Sequence, residues 1–490
     1  MSLLGAVLRK QVFHSLAVSR SLPPLSPACP CFFKNIRGSA TSFSQGEAIN
    51  FDDGNAFHLK TNWEIFRGLL IFRMCSYPFL VNNSMKLMQL TRKALGQKLF
   101  SAVMKASAYG QFVAGETLPE IQQSMEKLKR MGIRPMLAVP IEEDIGEDKE
   151  GEKWYDRNLD TMIRCVDISI TGGKRSMMQL KVTALMSAEL CKTITHHLKD
   201  PVTRKSLSFE SLVRAMDGQT LHLSCLTKEE NHHFLASLQR FNKIGQYAKD
   251  NKVHVLVDAE YTYINPALTL VTLAMMMKFN QSVPWIWNTY QCYLKEAYNL
   301  INEDIELSSR LGFCFGAKLV RGAYMDKERK LAKEKGYPDP INENWEATNR
   351  SYQRVLDRML DLVGENSERY NIIVASHNEA SVKQAIRRIE TMKISKEGGA
   401  VCFGQLLGMC DHVSMTLGQK GYAIYKSIPY GPIDDVMPYL VRRAQENQSV
   451  LLGIRKERDL LQKELKRRIF FRGRKNAENN VDYTLPTDKR

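Results

Sequence analysis

The chain has 490 residues, of which 44% are hydrophobic and 25% charged, a composition typical of a folded protein larger than one small domain. Its net charge of +16 lies mostly at the two ends: residues 1–46 contribute +5 and residues 454–475 contribute +7, which leaves only +4. The central part is therefore not strongly basic, which argues against a nucleic-acid partner, and its longest apolar run is too short to span a bilayer.

The first 46 residues contain five basic residues, eight serines and no acidic residue. This composition predicts a mitochondrial transit peptide over residues 1–46, which does not belong to the fold. A secretory signal fits less well, because no clean apolar run leads into a small-residue cleavage site. At the other end, residues 454–490 are predicted to form a basic helix and tail, either as a solvated helix end or as a contact for anionic lipid.

Residues 47–131 are predicted to form an N-terminal helical arm, because apolar residues recur there every three or four positions. The clearest helix begins with the capping-box pattern from Thr117 to Glu120 and stops at Gly132. Another helix, within residues 63–85, is amphipathic. It could pack on the main domain, or it could contact a membrane or a partner.

Residues 132–453 contain eight short apolar or β-branched runs separated by room for helices. They span residues 134–140, 178–185, 254–260, 285–291, 316–324, 372–378, 400–407 and 423–431. Eight strand–helix repeats predict an α/β fold of the (β/α)8 TIM-barrel type, with a polar insertion near 198–230. An open doubly wound sheet is the alternative, but no G-x-G-x-x-G motif opens any repeat.

Polar residues concentrate near the carboxyl ends of six of these runs. They are Lys181 and Thr183, Asp258 and Glu260, Asn288 and Gln291, Lys318 and Arg321, His377 and Asn378, and Gln405. In a barrel these ends converge on one face, where active sites form. We therefore predict an active site at this face.

Residues 439–447 read as a helix with Tyr439, Arg442, Arg443 and Glu446 on one face. Two adjacent arginines can hold a carboxylate in a planar, bidentate manner. The alternative is a solvated helix face.

These residues suit a small anionic substrate, without metal-ligand spacing or a Ser-His-Asp order. Three chemistries remain open: a Schiff base on Lys181 or Lys318, acid–base catalysis by Asp258, or an organic cofactor oriented by the protein. In the alternative interpretation, the two lysines are buried partners of Asp258 or Glu260, and His377 is an ordinary core histidine.

Four segments resemble the proline dehydrogenase family. They are residues 318–324 with Glu328, residues 258–260, residues 403–409 and above all residues 439–447, and the resemblance runs from about residue 60 to 468. It implies a distorted barrel that holds FAD. Mitochondrial members of the family oxidise the proline ring and pass electrons to ubiquinone at the inner membrane.

The resemblance also implies roles for individual residues. Arg442, Arg443 and Lys181 would bind the substrate carboxylate. Asp258, Ala323, Leu407 and Tyr439 would line the ring pocket, and Lys318 would contact the flavin near N5. We expect Lys181, Asp258 and Lys318 to form the catalytic group. The remaining FAD-binding positions would be Asn288, Gly322, His377, Asn378, Gln405 and Glu446.

One position departs from the proline-oxidising pattern. Those members commonly carry a tyrosine two residues before the Pro-Tyr-Gly turn, where this chain has Ser427. A serine leaves room and hydrogen-bonding capacity for a 4-hydroxyl group, although it could also be a neutral variation. The resemblance is thus to the hydroxyproline-oxidising branch of the family.

The sequence therefore predicts an FAD-dependent mitochondrial enzyme, peripheral on the matrix side of the inner membrane. It would oxidise trans-4-hydroxy-L-proline to Δ1-pyrroline-3-hydroxy-5-carboxylate in hydroxyproline catabolism, with L-proline as a weaker substrate and ubiquinone as acceptor. The alternatives are an L-proline dehydrogenase producing Δ1-pyrroline-5-carboxylate and, more remotely, a non-catalytic peripheral-membrane adaptor.

Overall fold

The computed structural model describes residues 49–141, 151–446 and 454–471. Eight parallel strands close into a barrel in chain order, which confirms the predicted fold class. They are β1 Arg134–Ala138, β2 Met177–Leu180, β3 His254–Val257, β4 Ile286–Gln291, β5 Phe315–Val320, β6 Tyr370–Ala375, β7 Val401–Leu406 and β8 Ile424–Pro429. The predicted transit peptide lies outside the described residues, as do residues 472–490 of the predicted tail.

Helices surround this barrel and precede it. Before β1 lie α1 Asn62–Cys75, α2 Pro78–Asn82, α3 Ser84–Ala106, α4 Ala108–Phe112 and α5 Leu118–Arg130. Between β1 and β5 lie α6 Glu152–Ile170, α7 Ala188–His197, α8 Pro201–Arg204, α9 Phe209–Met216, α10 Lys228–Asp250, α11 Asn265–Phe279 and α12 Ala297–Leu311. The remaining helices are α13 Met325–Lys335, α14 Trp345–Glu365, α15 Glu379–Thr391, α16 Asp411–Gln419, α17 Ile433–Glu446 and α18 Ile454–Phe471. Short 3₁₀ helices span Gly54–Leu59 and Val182–Ala184.

Each predicted strand begins within two residues of an observed one, but several end too late. β2 is followed by Lys181 and then by a 3₁₀ helix, so residues 181–185 are not part of the strand. Residues 376–378 form a loop after β6. Thr183 therefore lies in a 3₁₀ helix, and Glu260, His377 and Asn378 lie in loops; none of the four is a strand residue. The extension was wrong because side chains that enter a site resemble strand termini in sequence.

Apolar side chains fill the inside of the barrel below its carboxyl end. They are Met136, Met177, Leu256, Trp287, Ile373, Cys402, Ala423 and Tyr425. Gly316 on β5 makes room for this layer, because a Cβ there would lie 2.5 Å from Cγ of Trp287. Side chains two residues further along a strand point to the same face. The next interior layer therefore contains Gln179, Asp258, Lys318 and Ser427.

The segment 198–230 is less polar in its packing than its sequence indicates. It contains α8 and α9, and Leu207, Leu212, Leu223 and Leu226 are buried in the main core. The predicted polar insertion thus has an apolar side, because apolar residues spaced among charges form the inward face of short helices.

The C-terminal helix α18 packs on α1 and on the 3₁₀ helix Gly54–Leu59. Buried Glu464 accepts hydrogen bonds from Arg467 and Arg468, and Arg468 donates to the Phe57 and Lys60 carbonyls at 2.9 and 2.6 Å. These basic residues thus contribute to packing. Among the described residues, no helix is both long and apolar enough to cross a bilayer.

A buried ion network joins the arm, the barrel and α18. Asp411 contacts Lys60 of the arm at 2.6 Å and Lys426 of β8 at 2.8 Å. Glu457 of α18 accepts hydrogen bonds from the backbone of Cys410 and Asp411 at 2.7 and 2.8 Å. Although burial disfavours its charge, Lys426 and Lys60 hold the pKa of Asp411 well below its usual range.

We predict that Asp411→Asn lowers the free energy of unfolding by about 3–5 kcal/mol, because two buried lysines lose their counterion. The folded pKa is depressed, so this stabilisation is present above about pH 4 and is lost as the pH falls through the folded value. Denaturant unfolding at pH 7 measures the loss. The matched control is Asp434→Asn, which breaks a half-exposed pair with Arg92 and should cost less than about 1 kcal/mol. Equal losses in the two variants would contradict the network's role.

Candidate active site

Lys318 and Asp258 form an ion pair inside the mouth of the barrel. The Lys318 Nζ donates to Asp258 Oδ1 at 2.6 Å, and both side chains are largely buried. The pair connects β5 to the end of β3. The structure thus brings together two predicted catalytic residues. The same ion pair is also consistent with the alternative in which Lys318 is a buried strand-end lysine paired with Asp258.

Lys181, which follows β2 directly, is buried and its Nζ lies 5.6 Å from the centre of the Tyr439 ring. Near it, Glu260 accepts a hydrogen bond from Thr183 at 2.8 Å. Burial raises the pKa of Glu260 above its usual range, and the Lys181 charge opposes that rise. A carboxyl with a raised pKa beside a buried lysine is an arrangement common at functional sites.

Helix α17 brings its aromatic and basic residues to the same mouth. The Arg443 guanidinium lies 5.4 Å from the centre of the Tyr439 ring and 5.3 Å from that of Tyr324, and it donates to the Tyr324 hydroxyl at 3.1 Å. Arg442 is half-buried on the same helix. Flat ring faces stabilise a guanidinium while leaving its N–H groups directed at a partner. The side chain of Glu446, at the end of α17, lies outside what the structure describes.

An apolar pocket lies between α17, the arm and the carboxyl ends of β7 and β8. Its lining includes the predicted pocket residues Leu407, Ser427 and Tyr439, together with Arg443 and Leu440. The Ser427 hydroxyl donates to Oε1 of Gln179 at 2.8 Å. Ser427 and Gln179 lie on β8 and β2, on either side of β1, so the bond crosses the barrel interior. The wall of this pocket thus contains one guanidinium, from Arg443, and one hydroxyl, from Ser427.

The predicted cofactor residues that follow β6 or lie on β7 form hydrogen bonds with other groups of the protein. Burial and the nearby Lys426 lower the pKa of His377 to about 3, so its ring is neutral, and Nε2 accepts from the Leu406 N–H at 3.1 Å. Asn378 caps α15 by accepting from the Ser381 N–H at 3.0 Å. Gln405 donates to the Ser376 carbonyl at 3.2 Å and accepts from Ser414.

Gly322 and Ala323 lie in the loop between β5 and α13 and are half-buried. A Cβ added at Gly322 would meet only Met325, at 3.5 Å, so the local packing does not require glycine there. The adjacent Tyr324 has a left-handed backbone with φ of 57°. A tyrosine in this conformation is uncommon, and here it places the hydroxyl against Arg443.

Two buried polar atoms at the end of β4 and just past the end of β5 have no hydrogen-bond partner among the described residues. They are Gln291 Oε1 and Arg321 Nη2. A buried polar atom without a partner is costly in a folded protein, and such atoms at a site indicate an absent ligand. One cationic donor and one acceptor suit a cofactor with phosphate and ring groups. The residues present thus fit FAD.

Several residues of the mouth were not among the predicted site residues. Gln179 carries no motif, and Gln291 is only one of the polar residues near strand ends. Glu260, Arg321 and Tyr324 lie in segments that resemble the family, but the resemblance assigned them no role. The period-two spacing from Met177 could have indicated Gln179.

Comparison with known proteins decides the family. Residues 121–456 match the family described as Proline dehydrogenase. The chain belongs to the proline dehydrogenase family. It is 58% identical to Hydroxyproline dehydrogenase of Xenopus laevis over 96% of this chain and 99% of that protein, and 48% identical to that of Homo sapiens over 86% and 94%. It is 33% identical to Proline dehydrogenase 1, mitochondrial, of Homo sapiens over 93% and 98%.

The solved structure of proline utilization A from Bdellovibrio bacteriovorus shares the fold, with a TM-score of 0.57 at 19% identity. The match covers 83% of this chain and 39% of that structure, so the chain spans well under half of the bacterial protein. The predictions that the chain is an enzyme and that it belongs to the proline dehydrogenase family are confirmed. The roles of individual site residues stay predictions.

Proposed function

We propose that the protein oxidises trans-4-hydroxy-L-proline to Δ1-pyrroline-3-hydroxy-5-carboxylate with bound FAD. It would then pass the electrons to ubiquinone at the matrix side of the mitochondrial inner membrane. The observation that carries the proposal is one pocket that contains both Arg443 and Ser427. An arginine suits the carboxylate of an amino acid, and a serine suits a hydroxyl on its ring. The Xenopus and human relatives named Hydroxyproline dehydrogenase support the same substrate, and the human relative named mitochondrial supports the location.

In this proposal, cationic side chains orient the substrate by binding its carboxylate. Arg442, Arg443 and Lys181 would bind the carboxylate, while Tyr439, Leu407 and Ala323 would limit the position of the ring. Fixing the carboxylate removes rotational freedom before the reaction, which can lower a barrier by several kcal/mol. The N–H groups of a guanidinium bind a carboxylate more directionally than an ammonium does.

The reaction breaks the bond between ring C5 and hydrogen, forms a C5=N double bond and releases the proton of the ring nitrogen. Bound FAD supplies the acceptor for the hydride and its two electrons. Asp258, held by Lys318 at 2.6 Å, is assigned to hold the amine and its proton. Lys318, Asn288, Gly322, His377, Asn378, Gln405 and Glu446 would hold the cofactor. We add Arg321 and Gln291, since each has a buried polar atom without a described partner.

One observation disfavours part of the Schiff-base alternative. Lys318 is in an ion pair with Asp258, and an ammonium is not a nucleophile, which disfavours a Schiff base on Lys318. Lys181 remains as a candidate, and borohydride trapping with a keto substrate would reveal it. L-proline oxidation is the second candidate function, favoured by the identity to Proline dehydrogenase 1.

An anaerobic titration of the purified protein tests the proposed reaction, because the visible absorption of oxidised flavin disappears on two-electron reduction. We expect hydroxyproline to bleach this absorption at much lower concentration than L-proline. The reverse order would make the protein a proline dehydrogenase. A colourless protein that FAD does not reconstitute would contradict the oxidoreductase function and favour Lys181 chemistry or the non-catalytic adaptor.

Arg443→Met is expected to weaken substrate binding at least about 30-fold, because a buried carboxylate would lose a charged partner worth about 2 kcal/mol or more. Arg442→Met should act in the same direction. Concentration dependence of flavin reduction measures the affinity, and flavin content confirms the fold. Arg387→Met, on the exposed face of α15, is the matched control and should leave affinity unchanged. Unchanged affinity in Arg443→Met would refute the clamp.

Ser427→Tyr is expected to shift the ratio of kcat/KM for hydroxyproline over L-proline by about tenfold or more towards L-proline, because the phenol fills the space of the 4-hydroxyl. Ser427→Ala separates volume from hydrogen bonding. It should lower kcat/KM for hydroxyproline by several-fold and leave L-proline unaffected, since it removes the bond partner without adding bulk. If neither ratio changes, Ser427 does not determine specificity.

A further inference from the structure

The arm exposes an unusual amount of apolar surface. Of the nineteen large apolar side chains exposed in the described part of the chain, thirteen lie between Leu59 and Val103. On α1, Trp63, Phe66, Leu70 and Met74 are spaced three or four residues apart, so they form one outward stripe. The opposite side of α1 is already buried in the core. This second apolar face therefore contributes nothing to the fold, and such surfaces mark interaction sites.

The two following helices also expose apolar side chains. Phe79 on α2 is 69% exposed, and on α3 Leu90 and Leu99 are 62% and 53% exposed. The α3 helix is kinked at Gly96, where φ is 70°, so its two halves point in different directions. We call the exposed apolar side chains of α1, α2 and α3 the arm face.

Positive charge accompanies the arm face. Residues 62–106 contain seven Lys or Arg and one acidic residue, Glu64, for a net charge of +6. Outside this segment and the two basic ends, the rest of the chain has a net charge of −2. Lys86, Lys93 and Lys98 are exposed and form no ion pair with another described residue. Exposed apolar residues with unpaired cations and few acids are the composition of helices that lie on anionic membranes.

The arm face is connected to the active site by direct packing. Phe100 and Met104 of α3 pack against Val436 and Met437 of α17. That helix carries Tyr439 and Arg443. At the end of α1, Cys75 lines the same pocket as Tyr439. A partner bound to the arm face would thus lie next to the helices that cover the mouth of the barrel.

We propose that the arm face is the surface by which the protein docks on a bilayer of anionic phospholipid. This inference rests on the proposed function, in which the electron acceptor is a quinone dissolved in a membrane. The apolar stripe of α1 would enter the boundary between headgroups and acyl chains. The lysines of α3 would contact lipid phosphates, so binding should weaken as salt is raised.

Tryptophan quenching tests where the bilayer lies. Full-length holoenzyme is mixed with vesicles of phosphatidylcholine containing 30% cardiolipin, with bromine on the acyl chains of the phosphatidylcholine. We expect bromine to quench Trp63, and Trp63→Phe should remove this quenching while it preserves binding. Quenching that persists in Trp63→Phe would overturn the proposal, because it would place another tryptophan, such as exposed Trp345, at the lipid.

Vesicle flotation measures the contribution of the stripe. The triple variant Trp63→Ser, Phe66→Ser and Leu70→Ser should bind at least about tenfold more weakly, because three apolar side chains no longer enter the bilayer. The matched control replaces Leu118, Val202 and Leu300, which are also exposed apolar residues, with serine and should bind normally. All these proteins retain residues 1–46, so the basic N-terminal segment does not explain a difference. Equal binding by the two triple variants would refute the role of the stripe.

A second pair of variants tests the charge. Replacing Lys86, Lys93 and Lys98 with Gln should reduce binding to cardiolipin vesicles several-fold, while replacing the exposed Lys199, Lys228 and Lys420 should not. Equal affinity of the native protein for vesicles without cardiolipin would overturn the anionic-lipid partner. Light scattering identifies another outcome: a dimer that the stripe variant abolishes would show that a second copy covers the face.

Flavin reduction by hydroxyproline, measured on the same preparations without vesicles, separates the two proposals. Normal bleaching in a protein that does not bind vesicles would refute only the docking surface. Vesicle binding by a protein that hydroxyproline does not bleach would refute only the proposed function.

Discussion

The alternation of side chains along eight closed parallel strands determines where this protein can carry out chemistry. Seven of the eight strands contribute a side chain to an apolar layer below the mouth, and on β5 the glycine Gly316 leaves room for Trp287. The next inward position, two residues on, is then the first that is not needed to fill the barrel. Asp258, Lys318 and Ser427 lie at this level. The apolar layer makes their surroundings poor in water, which strengthens the ion pair and the hydrogen bond found there.

Three cationic side chains and two carboxyl groups meet at the mouth of the barrel. Lys181, Lys318 and Arg443 are brought together with Asp258 and with Glu260, whose pKa burial raises. Burying like charges together is unfavourable unless something compensates them. Tyr324 and Tyr439 provide part of this compensation through their ring faces. In the proposed function, the substrate carboxylate would add to this compensation.

The sequence predicted the barrel well, because each strand is a local pattern. The family motifs contain most of the residues proposed for the site. It could not predict contacts that depend on closure. Ser427 and Gln179 are 248 positions apart in the chain. They form a hydrogen bond because closure of the barrel places β2 and β8 on either side of β1. The network of Lys60, Asp411 and Lys426 joins three distant segments without a motif. The left-handed Tyr324 likewise contacts Arg443, which lies 119 positions further along the chain.

The arm has two constraints that explain its sequence. Its inner residues must hold α17 over the mouth, which they do through Phe100, Met104 and Val436. Its outer residues do not pack on α17. If the arm were surrounded only by water, polar side chains at these positions would be more favourable than apolar ones. Trp63 and Phe66 instead pair their rings at the surface, 5.8 Å apart. A surface of this kind is stable against aggregation only when something covers it. Because α3 carries both exposed apolar side chains and the residues that pack on α17, a partner on the arm would lie one helix away from Arg443.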